Sequence, residues 1–121
     1  MLAGCKAYQQ IGIESEVLHA SAHRLIQMLF EGCLQRMGLA KLHIENKNNA
    51  EKIRCITKAI DIVIALRSNL ADIENNPISQ QLDGLYDFVE RHLVVANLRN
   101  SKEMLDEAYR IIATIKSGWD E

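Results

Sequence analysis

Residues 48–73 read NNAEKIRCITKAIDIVIALRSNLADI, and this stretch decides the fold. Its apolar residues recur at spacings of three and four, the pattern of a helix, and alternation at period two is not sustained. At about 100° per position, Ile53, Ile56, Ala59, Ile60, Ile62, Val63, Ile64, Leu66, Leu70 and Ile73 spread over roughly 200° of helix surface. Glu51, Arg54, Thr57, Lys58, Asp61, Ser68, Asn69 and Asp72 occupy the opposite arc, whereas Lys52 and Arg67 fall inside the apolar one. Asn48 followed by Glu51 fits a capping box. The spacing therefore predicts a helix over about Asn49–Ile73, with Ile53, Ile56, Ile60, Val63, Ile64 and Leu70 turned inward.

The same period continues on both sides. Before the Asn46-Lys47-Asn48-Asn49 turn, Ser21 is placed to cap a helix over about Ala22–Glu45. Its stripe is Ile26, Leu29, Phe30, Cys33, Met37, Ala40 and Ile44, and a second apolar set, Leu25, Met28, Leu39 and Leu42, lies outside it. After residue 73, Asn75-Asn76-Pro77 ends one helix and begins another, since proline suits the first helical position. That helix is predicted over about Ile78–Leu98, with Leu82, Leu85, Tyr86, Val89, Leu93 and Ala96 on its stripe. Asn100 with Glu103 reads as a second capping box, opening a helix over about Ser101–Ser117. It carries Leu105, Ala108, Tyr109, Ile112 and Ile115, and Gly118 is placed to stop it. Four long helices on short connections alternate in direction, so the expected fold is all-α: an antiparallel four-helix bundle over residues 21–121. Residues 1–20 form a short N-terminal segment, with a helical turn or two over about Leu2–Gln10 before Gly12. The 121 residues are expected to make one domain overall.

Composition narrows the function. Fourteen Lys+Arg against sixteen Asp+Glu give a net charge of −2, without the basic surplus that nucleic acid binding needs. Blocks of like charge are absent, and no apolar run approaches the roughly 18–20 residues that span a bilayer. Neither nucleic acid binding nor membrane insertion is expected. Met1–Gln10 has no apolar core of a secretory signal, so the cytoplasm is the expected location. Cys5, Cys33 and Cys55 are odd in number and lack paired spacing, so they read as small apolar side chains kept reduced.

Catalytic and metal chemistry finds no support. Glu16-Val17-Leu18-His19 is the one Glu-x-x-His motif, where a di-iron bundle needs two. His19 and His23 are four apart and share a helix face, but no third ligand accompanies them. No serine sits in a nucleophile elbow, and there is no glycine-rich phosphate loop. The chain is thus read as non-enzymatic, without cofactor or metal. A histidine phosphotransfer bundle is the alternative, with His43 beside Lys41 and Lys47, or His92 beside Arg91, in the phosphate-carrying role. An adaptor for another client is a further alternative.

The apolar arc on residues 49–73 and the second set on residues 22–45 exceed what a two-residue-per-heptad seam requires. Wide faces arise when each helix touches two neighbours in the bundle; they also arise when part of the surface is a groove for a partner's amphipathic helix. Both readings stay open on periodicity alone. Most of the six aromatics, Phe30, Tyr86, Phe88, Tyr109 and Trp119 among them, fall on bundle stripes and are expected in the core. Tyr8, on the N-terminal segment beside Cys5 and Lys6, is placed either to fold over the bundle or to meet a partner.

Taken together, these residues resemble one family. Lys6-Ala7-Tyr8-Gln9-Gln10, Glu14-Ser15 and the run from His19 to Gly32 resemble the N-terminal half of FliS, the flagellin-specific export chaperone. Lys58-Ala59-Ile60-Asp61-Ile62-Val63 looks like the pattern of that family's third helix, counting a short first one. The run from Leu85 to Asn100 resembles its most distinctive stretch, and Ile115-Lys116-Ser117-Gly118-Trp119 fits its close. Departures fall at Ala22, where proline is usual, at Glu90, where an apolar residue is common, and at His92, where the second of two arginines is usual. Glu74-Asn75-Asn76-Pro77 replaces a glycine-rich loop.

The resemblance implies a non-enzymatic role. The C-terminal region of flagellin, disordered before polymerisation, would wrap round the bundle in apolar grooves, with Leu25, Leu29, Ile60, Ile64, Tyr86 and Leu93 as the groove residues. It implies delivery of that complex to the cytoplasmic domain of the membrane export gate, with Cys5 and Tyr8 at the docking positions; Cys5 replaces a bulkier aliphatic residue there. It extends to an anti-sigma factor as a further partner, without residues assigned; in some members of the family the N-terminal segment also covers the groove when flagellin is absent, and for this chain that point stays open.

Overall fold

The computed structural model of the chain describes residues 20–121. Within them lie four helices: α1 (Ala22–Glu45), α2 (Asn49–Ser68), α3 (Pro77–Arg99) and α4 (Lys102–Asp120). The expectations for the N-terminal segment, including Leu2–Gln10, Cys5, Tyr8, Glu16 and His19, lie outside the described residues.

α1 packs on α2 and α4, and α3 packs on the same two, so the helices close a ring. Side-chain bonds give the directions. Gln27 reaches Asp120 at 2.9 Å while Lys41 reaches Asp106 at 3.1 Å, so α1 and α4 run antiparallel. Lys52 to Asn97 at 2.9 Å and Arg67 to Asp83 at 2.6 Å set α2 against α3 in the same sense. The expected antiparallel bundle is what forms.

The helix starts follow from side-chain caps. Ser21 accepts from the Arg24 amide at 3.1 Å, Asn48 from the Glu51 amide at 3.4 Å, and Asn76 from those of Ile78 and Ser79. α1 begins at Ala22 without proline because this cap supplies the acceptor that its first turn needs.

Three boundaries differ from the sequence reading. α2 stops at Ser68 rather than running to Ile73: the chain turns at Asn69, and Asp72 adopts a left-handed φ of 50°. There the Asp72 carbonyl accepts from the amides of Asn75 and Asn76, closing a turn in place of a helical step. The fourth helix is capped by Ser101, which accepts from the Met104 amide at 3.1 Å, whereas Asn100 ends α3 in the left-handed conformation. α4 also runs through Gly118 to Asp120, because Trp119 and Asp120 are held against α1 and extend the helix past the glycine.

The centre of the core takes two large side chains from each helix: Phe30 and Met37, Ile56 and Val63, Val89 and Leu93, Leu105 and Ile112. Cys33 and Cys55 are free and buried among them, and burial pushes the Cys33 thiol up to about 12. The two charges inside the α2 apolar arc have partners. Lys52 is buried against the end of α3, and Arg67 holds Asp83, with Asp87 and Glu90 close by. The Asp83 hydrogen bond, set against partial desolvation, raises the Arg67 pKa above its ordinary value. Glu90 thus stands here as a partner of an α2 cation, 3.7 Å from Arg67.

Candidate functional site

A bundle helix buries only the arc that faces its two neighbours, so much of the wide apolar surface remains outside. Three hollows collect it. The first lies at the end of the bundle where α1 and α3 begin and α2 and α4 end. It holds about 410 Å³, and all four helices line it: Ile26 and Phe30, Leu66 and Leu70, Ile78, Leu82 and Tyr86, then Ile115 and Trp119. The second, also about 410 Å³, opens on the α1 side and is lined by Ala22, Leu25, Ile26, Met28, Leu29 and Asn69. The third, about 420 Å³, runs between α3 and α4 past Leu85, Phe88, Ile111, Thr114 and Ile115, with Glu107 and Arg110 at its edge.

These hollows adjoin one another. Ile26 and Asn69 line both the first and the second, while Thr114 and Ile115 line both the first and the third. Taken together they trace a mostly apolar trench from the outer face of α1, across the end of the bundle, to the space between α3 and α4. Its lining is aliphatic and aromatic, with charge confined to the rim, as in grooves that take an amphipathic helix. It offers no catalytic constellation. Among the described residues, no group of three acidic, histidine or cysteine side chains is placed to hold a metal.

Polar contacts fix the trench walls. The Trp119 indole stacks on His23 at 4.8 Å between centroids, and its N–H donates to the His23 carbonyl at 3.1 Å. Asp120 accepts from Gln27 and from Lys116, and these donors hold its carboxyl below the usual range, the Lys116 bond contributing most. On the far side, His92 lies 2.6 Å from Glu107 and stacks on Phe88, tying α3 to α4 beside the groove. This bridge occupies the imidazole that the phosphotransfer reading would need exposed.

The six groove positions read from the sequence separate in space. Leu25 and Leu29 line the second hollow. Tyr86 lines the first but is 3% exposed, a floor residue whose hydroxyl is pushed up to about 12, mostly by burial. Ile60 is half-buried and Ile64 exposed on α2, but neither lines the trench. Leu93 is fully buried and offers no surface to a groove, because its turn of α3 faces the bundle axis. Other inward expectations reverse. Ile53, Leu85, Phe88, Tyr109 and Trp119 are exposed: the first four sit past the buried arc of their helices, whereas Trp119 is in line with Leu105 and Ile112 but on the last turn of α4.

The sequence reading missed Ile78, Leu82, Leu85, Phe88, Ile111, Ile115 and Trp119 as trench residues. Ile78, on the first turn of α3, is 69% exposed although it continues the Leu82–Tyr86–Val89–Leu93 stripe one turn back, so the period gave no sign of it; its place beside a helix-starting proline, at the bundle end, is what leaves it open. Among the described residues, no helix is long and apolar enough to cross a membrane.

Comparison with known proteins gives one consistent result. A family model described as "Flagellar protein FliS" matches residues 4–121. The Flagellar secretion chaperone FliS of Vibrio cholerae is 36% identical over 121 residues, covering 100% of this chain and 89% of the relative. The Flagellar secretion chaperone FliSB of Pseudomonas aeruginosa is 40% identical over 115 residues, covering 95% and 91%. The Flagellar secretion chaperone FliS of Salmonella typhimurium is 35% identical over 120 residues, covering 98% and 89%.

Proposed function

The chain belongs to the FliS family of flagellar secretion chaperones, and from that premise we propose that its apolar trench receives the C-terminal segment of flagellin. The observation that carries this reading is the continuity of the trench across the end of the bundle. A client held along two faces of a narrow bundle has to cross such an end, and here the crossing is mostly apolar, with Asn69 and Thr114 as its uncharged polar side chains. The client's amphipathic turns would bury their apolar faces against Leu25, Leu29, Ile78, Leu85 and Phe88.

The mechanism follows from mass action. The tail surface covered by the chaperone is the surface that pairs with other flagellins in a filament, so binding lowers the concentration of polymerisation-competent chains. The segment orders as it docks, and that entropy cost offsets part of the gain from burial, which leaves the complex releasable. The chaperone acts without catalysis, in the bacterial cytosol, and delivers its cargo to the cytoplasmic domain of the export gate through Cys5 and Tyr8. An anti-sigma factor is a further partner on this reading.

Co-purification with full-length and tail-truncated flagellin tests the reading. Capture of the full-length protein only is expected; equal capture of both, or of neither at micromolar concentration and moderate salt, would overturn it. Tyr8→Ala is expected to spare flagellin capture and weaken gate docking.

A further inference from the structure

We propose that a second cavity, at the opposite end of the bundle from the trench, binds a small oxyanion such as a phosphate or carboxylate group. The cavity holds about 280 Å³ between the α1–α2 turn and the end of α3, and is lined by His43, Ile44, Lys47, Asn49, Lys52 and Asn100. Two lysines and a histidine face it, and no acidic residue among the described residues lines it.

Lys52 is its floor, 4% exposed. A buried ammonium is ordinarily matched by a counter-charge. This one donates to two neutral acceptors, the Asn97 carbonyl at 2.9 Å and the Asn100 side-chain oxygen at 2.5 Å. An ammonium has three donors, so one is left over. The Asn97 carbonyl belongs to the C-terminal turn of α3, whose dipole offsets only part of a full charge, about half.

The nearby carboxylates are engaged elsewhere. Glu45 lies 3.6 Å from Lys102, and Glu51 lies 2.8 Å from Arg54. Lys47, like Lys52, has no carboxylate partner among the described residues. Its left-handed backbone, φ 56°, turns the chain at the mouth of the cavity. Asn49, the first residue of α2, brings the positive end of that helix to the same space, while His43 and Ile44 bring the negative end of α1 and Asn100 that of α3. Buried cation and mouth cation thus face one cavity that no carboxylate lines.

Nitrogen–proton correlation spectra of the full chain, titrated separately with inorganic phosphate and with acetate at constant ionic strength, test this. Saturable shifts are expected at the amides of residues 47–52 and at the Asn100 side chain. Phosphate saturating at lower concentration than acetate assigns a phosphate-type ligand; the reverse order assigns a carboxylate. Lys47→Gln, at an exposed position, is expected to keep the spectrum of the fold and weaken binding about fivefold, as loss of one nearby unit charge implies. Lys52→Met is expected to abolish saturation; if that variant does not fold, Lys47→Gln alone decides the matter. Shifts that rise linearly without saturating, that spread over surface lysines generally, or that survive Lys47→Gln unchanged would overturn the proposal.

Discussion

The indole of Trp119 lies nearly parallel to the imidazole of His23, 12° between planes and 4.8 Å between centroids, and so fastens the last turn of α4 to the first turn of α1. This contact roofs one side of the trench at the point where all four helices meet. It also explains why α4 continues through Gly118, which would otherwise be a stopping residue.

A double-mutant cycle measures that contact. His23→Ala, Trp119→Ala and the double variant, unfolded in urea, should return a coupling of about 0.5–1.5 kcal/mol, the range for ring pairs beyond their area burial. Strictly additive losses would mean that the two rings are neighbours without being partners.

Core and surface isoleucines should separate cleanly. Ile112 is fully buried on α4, whereas Ile64 is 46% exposed on α2. Ile112→Ala should cost about 2–4 kcal/mol through lost transfer energy and a cavity, while Ile64→Ala should stay under about 1 kcal/mol. Chemical denaturation reads both, and comparable losses would contradict the assignment of the two faces.

Acid should loosen the α1–α4 junction before the core. The Asp120 carboxyl is held below its ordinary range by Lys116 first and by Gln27 as well. Because its folded-state value is depressed, its stabilising contribution is complete above the unfolded-state value, about 3.9, and is lost as pH falls through the folded-state one. Trp119 is the one tryptophan in the chain, so its emission reports this junction directly. A red shift below about pH 4 is expected in the native chain and not in Asp120→Asn, whose emission should already resemble the acid form. Identical acid profiles for the two proteins would remove Asp120 from the account.

The fold was largely legible because the residues that set it act locally. Ser21, Asn48 and Pro77 mark helix starts through bonds or constraints within a turn, and the period of the buried residues needs no knowledge of neighbours. The failures came where a tertiary contact outweighed a local signal. Leu70 and Ile73 extend the period of α2, but the turn held by the Asp72 carbonyl ends the helix first. Asn100 has a capping residue's chemistry, yet its side chain is engaged by Lys52. The trench was harder to read, because a residue's azimuth about its helix separates floor from rim by a few tens of degrees. Leu93 and Leu85 share one stripe in the sequence, but only the second reaches the surface. Lys52 and Arg67 were visible as exceptions inside an apolar arc; their partners on α3 were not.

Affinity for the client bears most directly on the central claim. Ile78→Glu places a charge in the hollow at the bundle end, and Leu85→Glu places one in the α3–α4 groove; both sites are exposed in the free protein, 69% and 41%. Calorimetric titration with the C-terminal segment of the cognate flagellin should show each variant binding about tenfold or more weakly, a loss near 1.4 kcal/mol or greater, with helical circular dichroism unchanged. A double variant that folds normally and binds that segment with undiminished affinity would contradict the trench as the client's site.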